Sequence, residues 1–175
     1  MNQFKQDWEQ FNELSPALQA GEVFYLEDTS EIFKGIVSQF PVPVNRIDWN
    51  SIPNVFVIRE SGNQRSASEI TQFVRAVFEE LHFSEDEWVW VVFDGCTEGG
   101  IKIKTRTLIE MAHTFFTIAQ HTYVVPEDFG WCINHSFERQ LHFCFATIVE
   151  GSLEAICTRL EDQGIPARLR TIDGK

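Results

Sequence analysis

Four residues in the last third of the chain have the types and spacing to do chemistry together. Cys132, Asn134, His142 and Cys144 lie in two apolar runs, Trp131 to His135 and Leu141 to Ile148, joined by a polar five-residue connection. Two such runs predict a β-hairpin. With the turn at Ser136 to Gln140, His135 faces Leu141, Asn134 faces His142 and Cys132 faces Cys144. Strand alternation then puts Cys132, Asn134, His142 and Cys144 on one face, and Trp131, Ile133, Phe143 and Phe145 on the other. Cys132, Cys144 and His142 could hold zinc, which favours thiolate and imidazole. A Cys–His pair could instead act as nucleophile and base. Structural zinc wants a fourth ligand, and none is visible at the required spacing. The plainer outcome is a face packed on a helix, with His142 hydrogen-bonded to Asn134.

Asp94 is the next candidate. The run Val91-Val92-Phe93-Asp94-Gly95-Cys96-Thr97 resembles the strand end where haloacid dehalogenase-type enzymes keep a nucleophilic aspartate. Those enzymes need a second Asp two residues on, and Cys96 stands there. A turn that uses Asp and Gly for its backbone geometry is the simpler reading. No G-x-S-x-G elbow occurs, and Gly95, Gly99 and Gly100 lack the Lys-Ser/Thr pair of a phosphate-cradling loop. His82, His113 and His121 are isolated in sequence, and His113 falls in what reads as a buried helix.

Carboxylates beside aromatic rings form the third group. Glu85-Asp86-Glu87 precedes Trp88, with Glu79 and Glu80 a helical turn or two before it; Glu127-Asp128 precedes Phe129 and Trp131; Asp48 precedes Trp49. Turn and cap duties account for some of these acids. The total is harder to explain that way. Residues 1–100 hold 17 acidic against 6 basic residues, while residues 101–175 hold 9 against 8, out of a net charge of −12. Such a field steers basic partners inward and repels nucleic acid. Acid beside exposed ring is also the composition of a protein interface, where rings anchor and charges steer. Asp48, Trp49, Glu79, Glu80, Glu85, Asp86, Glu87, Trp88, Glu127 and Asp128 are therefore the candidate partner-binding residues.

The elements that must position these groups alternate. Phe4, Trp8, Phe11 and Leu18 recur at helical spacing, and Glu22 to Leu26 reads as a strand. A capping box at Asp28 and Glu31 predicts a helix with Ile32, Phe33, Ile36, Val37 and Phe40 on one face, stopped by Pro41 and Pro43. Val55 to Arg59 is a strand and Ser61-Gly62-Asn63 a turn. Ser66 and Glu69 cap a helix striped by Ile70, Phe73, Val74, Val77 and Leu81. Trp88 to Phe93 is apolar throughout, as suits a central strand covered on both faces. A short strand at Ile101 to Lys104 leads into one deeply buried helix ending near Gln120. Thr122 to Val125 and the hairpin follow, then a helix from Ser152 to Gln163 and an edge strand from Ala167 to Ile172.

These elements fit one domain spanning residues 1–175: an α/β (or α+β) sandwich with a mixed sheet, helices packed on it, and the C-terminal hairpin. The 16 Phe, 5 Trp and 2 Tyr supply an aromatic core. No apolar run reaches the roughly 20 residues that span a bilayer. Met1 to Glu13 is charged and carries no signal-peptide segment, which makes cytoplasm the expected compartment. Cys96, Cys132, Cys144 and Cys157 form no C-x-x-C pair and are expected to be reduced there.

A small, strongly acidic α/β chain without a catalytic motif resembles the immunity proteins of bacterial toxin systems, including those of contact-dependent growth inhibition. The segment from Val124 to Asn134, with Pro126-Glu127-Asp128-Phe129-Gly130-Trp131 at its centre, is similar in style. The resemblance implies a non-enzymatic, cofactor-free inhibitor, monomeric or weakly dimeric when free, that neutralises a cognate toxin, often a basic nuclease. Two alternatives stay open: a small hydrolase or transferase using Asp94 or the Cys132/His142 face, and a structural adaptor.

Overall fold

The computed structural model describes residues 15–43, 46–52, 54–59, 67–94, 99–136, 138, 140–147 and 151–171. In chain order the elements are α1 (Ser15–Gln19), β1 (Val23–Leu26), α2 (Ser30–Gln39), a 3₁₀ turn (Trp49–Ser51), β2 (Asn54–Arg59), α3 (Ala67–Glu80), β3 (Trp88–Asp94) and β4 (Gly100–Lys104). There follow α4 (Thr105–Glu110), α5 (Ala112–Ile118), β5 (His121–Pro126), β6 (Trp131–His135), β7 (Gln140–Phe145), α6 (Ser152–Asp162) and β8 (Arg168–Thr171). Phe4, Trp8, Phe11, the Ser61–Asn63 turn, the Ser66 cap and the Asp94 side chain lie outside the described residues.

All eight strands form one sheet in the order β1-β4-β3-β5-β6-β7-β2-β8. The expectation of a mixed sheet needs correcting: every pairing among the described strands is antiparallel. Interleaved helices suggest parallel neighbours, but here the helical connections skip a strand. The chain from β4 through α4 and α5 to β5 joins two strands that flank β3, and α6 joins β7 to β8 on either side of β2. Strands two apart run the same way while every neighbour runs opposed.

Alternation along the strands feeds two cores. Val89, Val91 and Phe93 join Ile101, Ile103, Val124, Ile133 and Phe143 on the first face, beneath α3, α5 and α6. The α3 stripe packs as its spacing predicts: Ile70, Phe73, Val74 and Val77 are buried and Leu81 is partly so. Val92, Tyr123, Val125, Cys132 and Cys144 point to the second face, under Ile32 and Ile36 of α2, Phe40 just after it, and Ile47 and Ile52 of the following segment. Leaving apolar side chains on both sides is why WVWVVF carries no polar residue. The α2 stripe is narrower than expected, and Val37 is 54% exposed. The predicted capping box does not form: Thr29 is the N-cap and its side chain makes no cap bond, while the Ser30 N–H donates to Asp28 Oδ1 at 2.8 Å and Glu31 turns to Lys34.

The helix expected from about residue 105 to 120 is two. It breaks at Met111, whose φ of −108° and ψ of 13° are not helical. Leu108, Ala112, Phe115 and Phe116 are buried, but Glu110, His113 and Thr117 face solvent, so His113 is not the core histidine expected. The last helix stops at a glycine. Gly164 adopts φ +77°, the left-handed conformation glycine adopts without strain, and the Ile165 N–H reaches back to the Leu160 carbonyl.

Candidate functional site

The hairpin has the predicted register. Cys132 pairs with Cys144, Asn134 with His142 and His135 with Leu141. The face that carries both cysteines is closed, however. Cys132 and Cys144 are fully buried among aliphatic side chains, and burial pushes both thiols up, away from the thiolate that a nucleophile or metal ligand needs. His142 stacks on Trp49 with ring centroids 4.6 Å apart and 9° between planes. The expected bond from His142 to Asn134 gives way to another arrangement: Asn134 Nδ2 donates to the carbonyls of Thr122 (3.0 Å) and His135 (3.2 Å). Among the described residues no group of three His, Cys, Asp or Glu could hold a metal. That face is core.

The acid–aromatic residues gather elsewhere, and they do so in part. Asp86, Glu87, Trp88, Glu127 and Asp128 line one groove of about 470 Å³, together with Phe83 and Pro126. The sheet register is what unites them. Antiparallel pairing of β3 with β5 places Val89 opposite Pro126, so the start of one strand meets the end of the other. Glu79 and Glu80 lie apart, against Arg159 of α6 at 2.7 and 3.6 Å. Asp48 and Trp49 are at the other end of β5, where Asp48 caps the 3₁₀ turn by accepting from the Asn50 N–H (3.0 Å) and the Ser51 hydroxyl (2.5 Å). The candidate partner-binding residues therefore fall in three separate places.

Within the groove two of the four carboxylates, Asp86 and Glu127, are matched to the protein's own cations. Asp86 pairs with Lys104 at 2.9 Å and Arg106 at 3.0 Å, and Glu127 with Lys102 at 2.5 Å. The Lys104 ammonium beside it holds the Asp86 carboxyl below its ordinary range. Behind the groove Glu22 accepts from Thr107 and from Arg106, and these two bonds lower it likewise. Asp128 serves the β5–β6 turn, accepting the Gly130 N–H at 2.9 Å. Glu87 accepts the Ser84 N–H at 3.3 Å and Glu85 is exposed; neither is in an ion pair among the described residues.

Three residues of this region were missed by sequence reasoning. Lys102 and Lys104 each set an ammonium 5.7 Å from the Trp88 ring centroid, near enough for cation–π attraction. Phe24, 51% exposed, lies 5.4 Å from the same ring. The signal was present in Ile101-Lys102-Ile103-Lys104, whose alternation puts both lysines opposite the core face. The register of Trp88 against Lys104, and of Phe24 against Lys102, was not.

No protein-family model matches this chain, and no curated protein matches it either. Function is argued from the sites.

Proposed function

We propose that this chain is a non-enzymatic binding protein of the immunity or inhibitor kind, a monomer or weak dimer when free in the cytoplasm, which docks a basic toxin domain through the groove at Trp88. One observation carries the reading: segments 83–88 and 126–128, far apart in sequence, supply rings and carboxylates to the same groove. Half-buried Trp88 and exposed Phe24 offer an anchor, since ring burial supplies most interface energy. The ion pairs change the expected mechanism. Asp86 and Glu127 already hold lysines, so a basic partner must compete for them, and long-range steering falls to the net charge of −12 and to Glu85 and Glu87.

The test takes the protein partner recovered by pull-down from the source organism, with association followed by rapid mixing. Raising ionic strength from about 0.01 to about 0.1 M shortens the Debye length from roughly 30 to roughly 10 Å and slows association several-fold. Replacing Glu85 and Glu87 by Lys also lowers the on-rate, whereas Trp88→Ala raises the dissociation rate about tenfold or more. Rates unmoved by all three remove the groove as the docking site.

A further inference from the structure

We propose that the groove at Trp88 takes an arginine side chain of the partner in preference to a lysine. The inference rests on the docking reading above and names the group that enters the groove. Its test is built so that either can fail alone.

Two turns build the groove. Ser84-Glu85-Asp86-Glu87 leads into β3, closed by the Glu87 N–H on the Ser84 carbonyl at 3.1 Å. Glu127-Asp128 leaves β5, closed by the Phe129 N–H on the Pro126 carbonyl at 3.2 Å. The apolar part is Phe83, half-buried Trp88 and Pro126; the polar part is Asp86, Glu87, Glu127 and Asp128, and no basic residue lines it. Lys104 and Arg106 beside it meet Asp86, and Lys102 meets Glu127. Glu87 and Asp128 meet only the backbone N–H groups of Ser84 and Gly130 among the described residues. Two carboxylate charges are thus left for a partner's cation. That cation is organic, because no three His, Cys, Asp or Glu among the described residues could hold a metal.

The ring decides between the two cationic side chains. Lys102 and Lys104 already set ammoniums 5.7 Å from the Trp88 ring centroid. A third compact ammonium would crowd two like charges. A guanidinium spreads its charge over a plane, is more weakly hydrated and stacks flat on an indole. Its five N–H donors then point outward in that plane, and each carboxylate it meets can accept two parallel bonds, a geometry an ammonium lacks. Carboxylates supplied by two separate turns around one ring suit that fork. The groove's volume of about 470 Å³ falls within the roughly 300–1,000 Å³ of small-molecule sites, enough for the side chain and part of its backbone. Exposed Phe24, 5.4 Å from the Trp88 ring, extends the apolar surface to the residues on either side.

The probe is N-acetyl-arginine amide, titrated into the full-length protein, with the tryptophan indole N–H signals followed by NMR and Trp88 assigned through Trp88→Phe. The expected result is saturable movement of the Trp88 signal. N-acetyl-lysine amide binds about fivefold more weakly or worse, and the uncharged citrulline analogue does not bind. Glu87→Gln with Asp128→Asn keeps an oxygen for the Ser84 and Gly130 N–H groups and weakens arginine about tenfold or more, whereas Glu79→Gln on α3 changes nothing. No saturable movement, lysine equal to arginine, or full binding by the double variant overturns the proposal. If the probe is ignored while Trp88→Ala still speeds dissociation of the captured partner, the arginine inference fails alone. If the probe binds while that dissociation is unmoved by Trp88→Ala, the docking reading fails and the arginine site remains.

Discussion

The two ends of β5 answer the same problem, polar groups beside an apolar sheet, in opposite ways. At the Pro126 end the charges stand in solvent and cancel in pairs: Asp86 with Lys104 and Arg106, Glu127 with Lys102. At the His121 end His121, Asn134, Ser136 and His142 are buried, with Asp48 and Gln140 half-buried and Arg46 and Glu138 exposed at the rim. Exposed pairs contribute little to stability, with typical values of about 0–1 kcal/mol, because water screens them. A buried hydrogen-bonded amide is costly to disturb. The groove is therefore free to vary its charges for a partner's sake, and the His121 end is not.

Each end can be broken separately, and the Pro126 end offers the larger effect. Phe129, at φ +56°, folds its ring over α2 against Gly35 and lies 5.3 Å from the Trp90 ring. A Cβ on Gly35 would fall 2.1 Å from Phe129 Cζ. Gly35→Ala must push the ring aside, and with it the turn that carries Glu127 and Asp128. We expect a loss of about 3 kcal/mol, the upper end for overpacking, read from urea unfolding. An unchanged midpoint would mean that this turn is not braced by α2. At the other end, Asn134→Ala removes the donor to the Thr122 and His135 carbonyls and should cost about 2 kcal/mol. If it costs nothing, the contrast between a tolerant groove and an intolerant His121 end fails.

What could be read from sequence tracks how local the determinant is. The hairpin register followed from period-two alternation and one turn length, and the α3 stripe from helical spacing. WVWVVF announced its double burial by having no polar residue. Strand order did not follow, because the helical connections skip a strand and nothing in α5 or α6 encodes that. Without strand order the charge pattern misleads. The surplus of acid in residues 1–100 looks like one unbalanced face, yet Glu79 meets Arg159 across 80 positions and Glu22 meets Arg106 across 84. The fold lays the more basic second half against the acidic first. Arg46 and His121, 75 positions apart, were invisible as a pair for the same reason.

That pairing gives the last and smallest effect a definite sign. Asp86 and Glu22 titrate below their ordinary values in the folded protein, Asp86 chiefly through Lys104 and Glu22 through Thr107 and then Arg106. A carboxylate with a depressed folded pKa stabilises the native state above its unfolded value, near 4, and that contribution disappears as pH falls through the folded value. Melting temperature should therefore hold from neutrality down to about pH 5 and decline below it. Lys104→Gln frees Asp86 of its main partner, so the variant should lose less between pH 5 and pH 3 than the wild type, although it starts from a slightly lower melting temperature. Parallel curves would show that the groove pairs are already too well solvated to couple to folding, and the carboxylates would then be available to a basic partner without competition from the protein's own lysines.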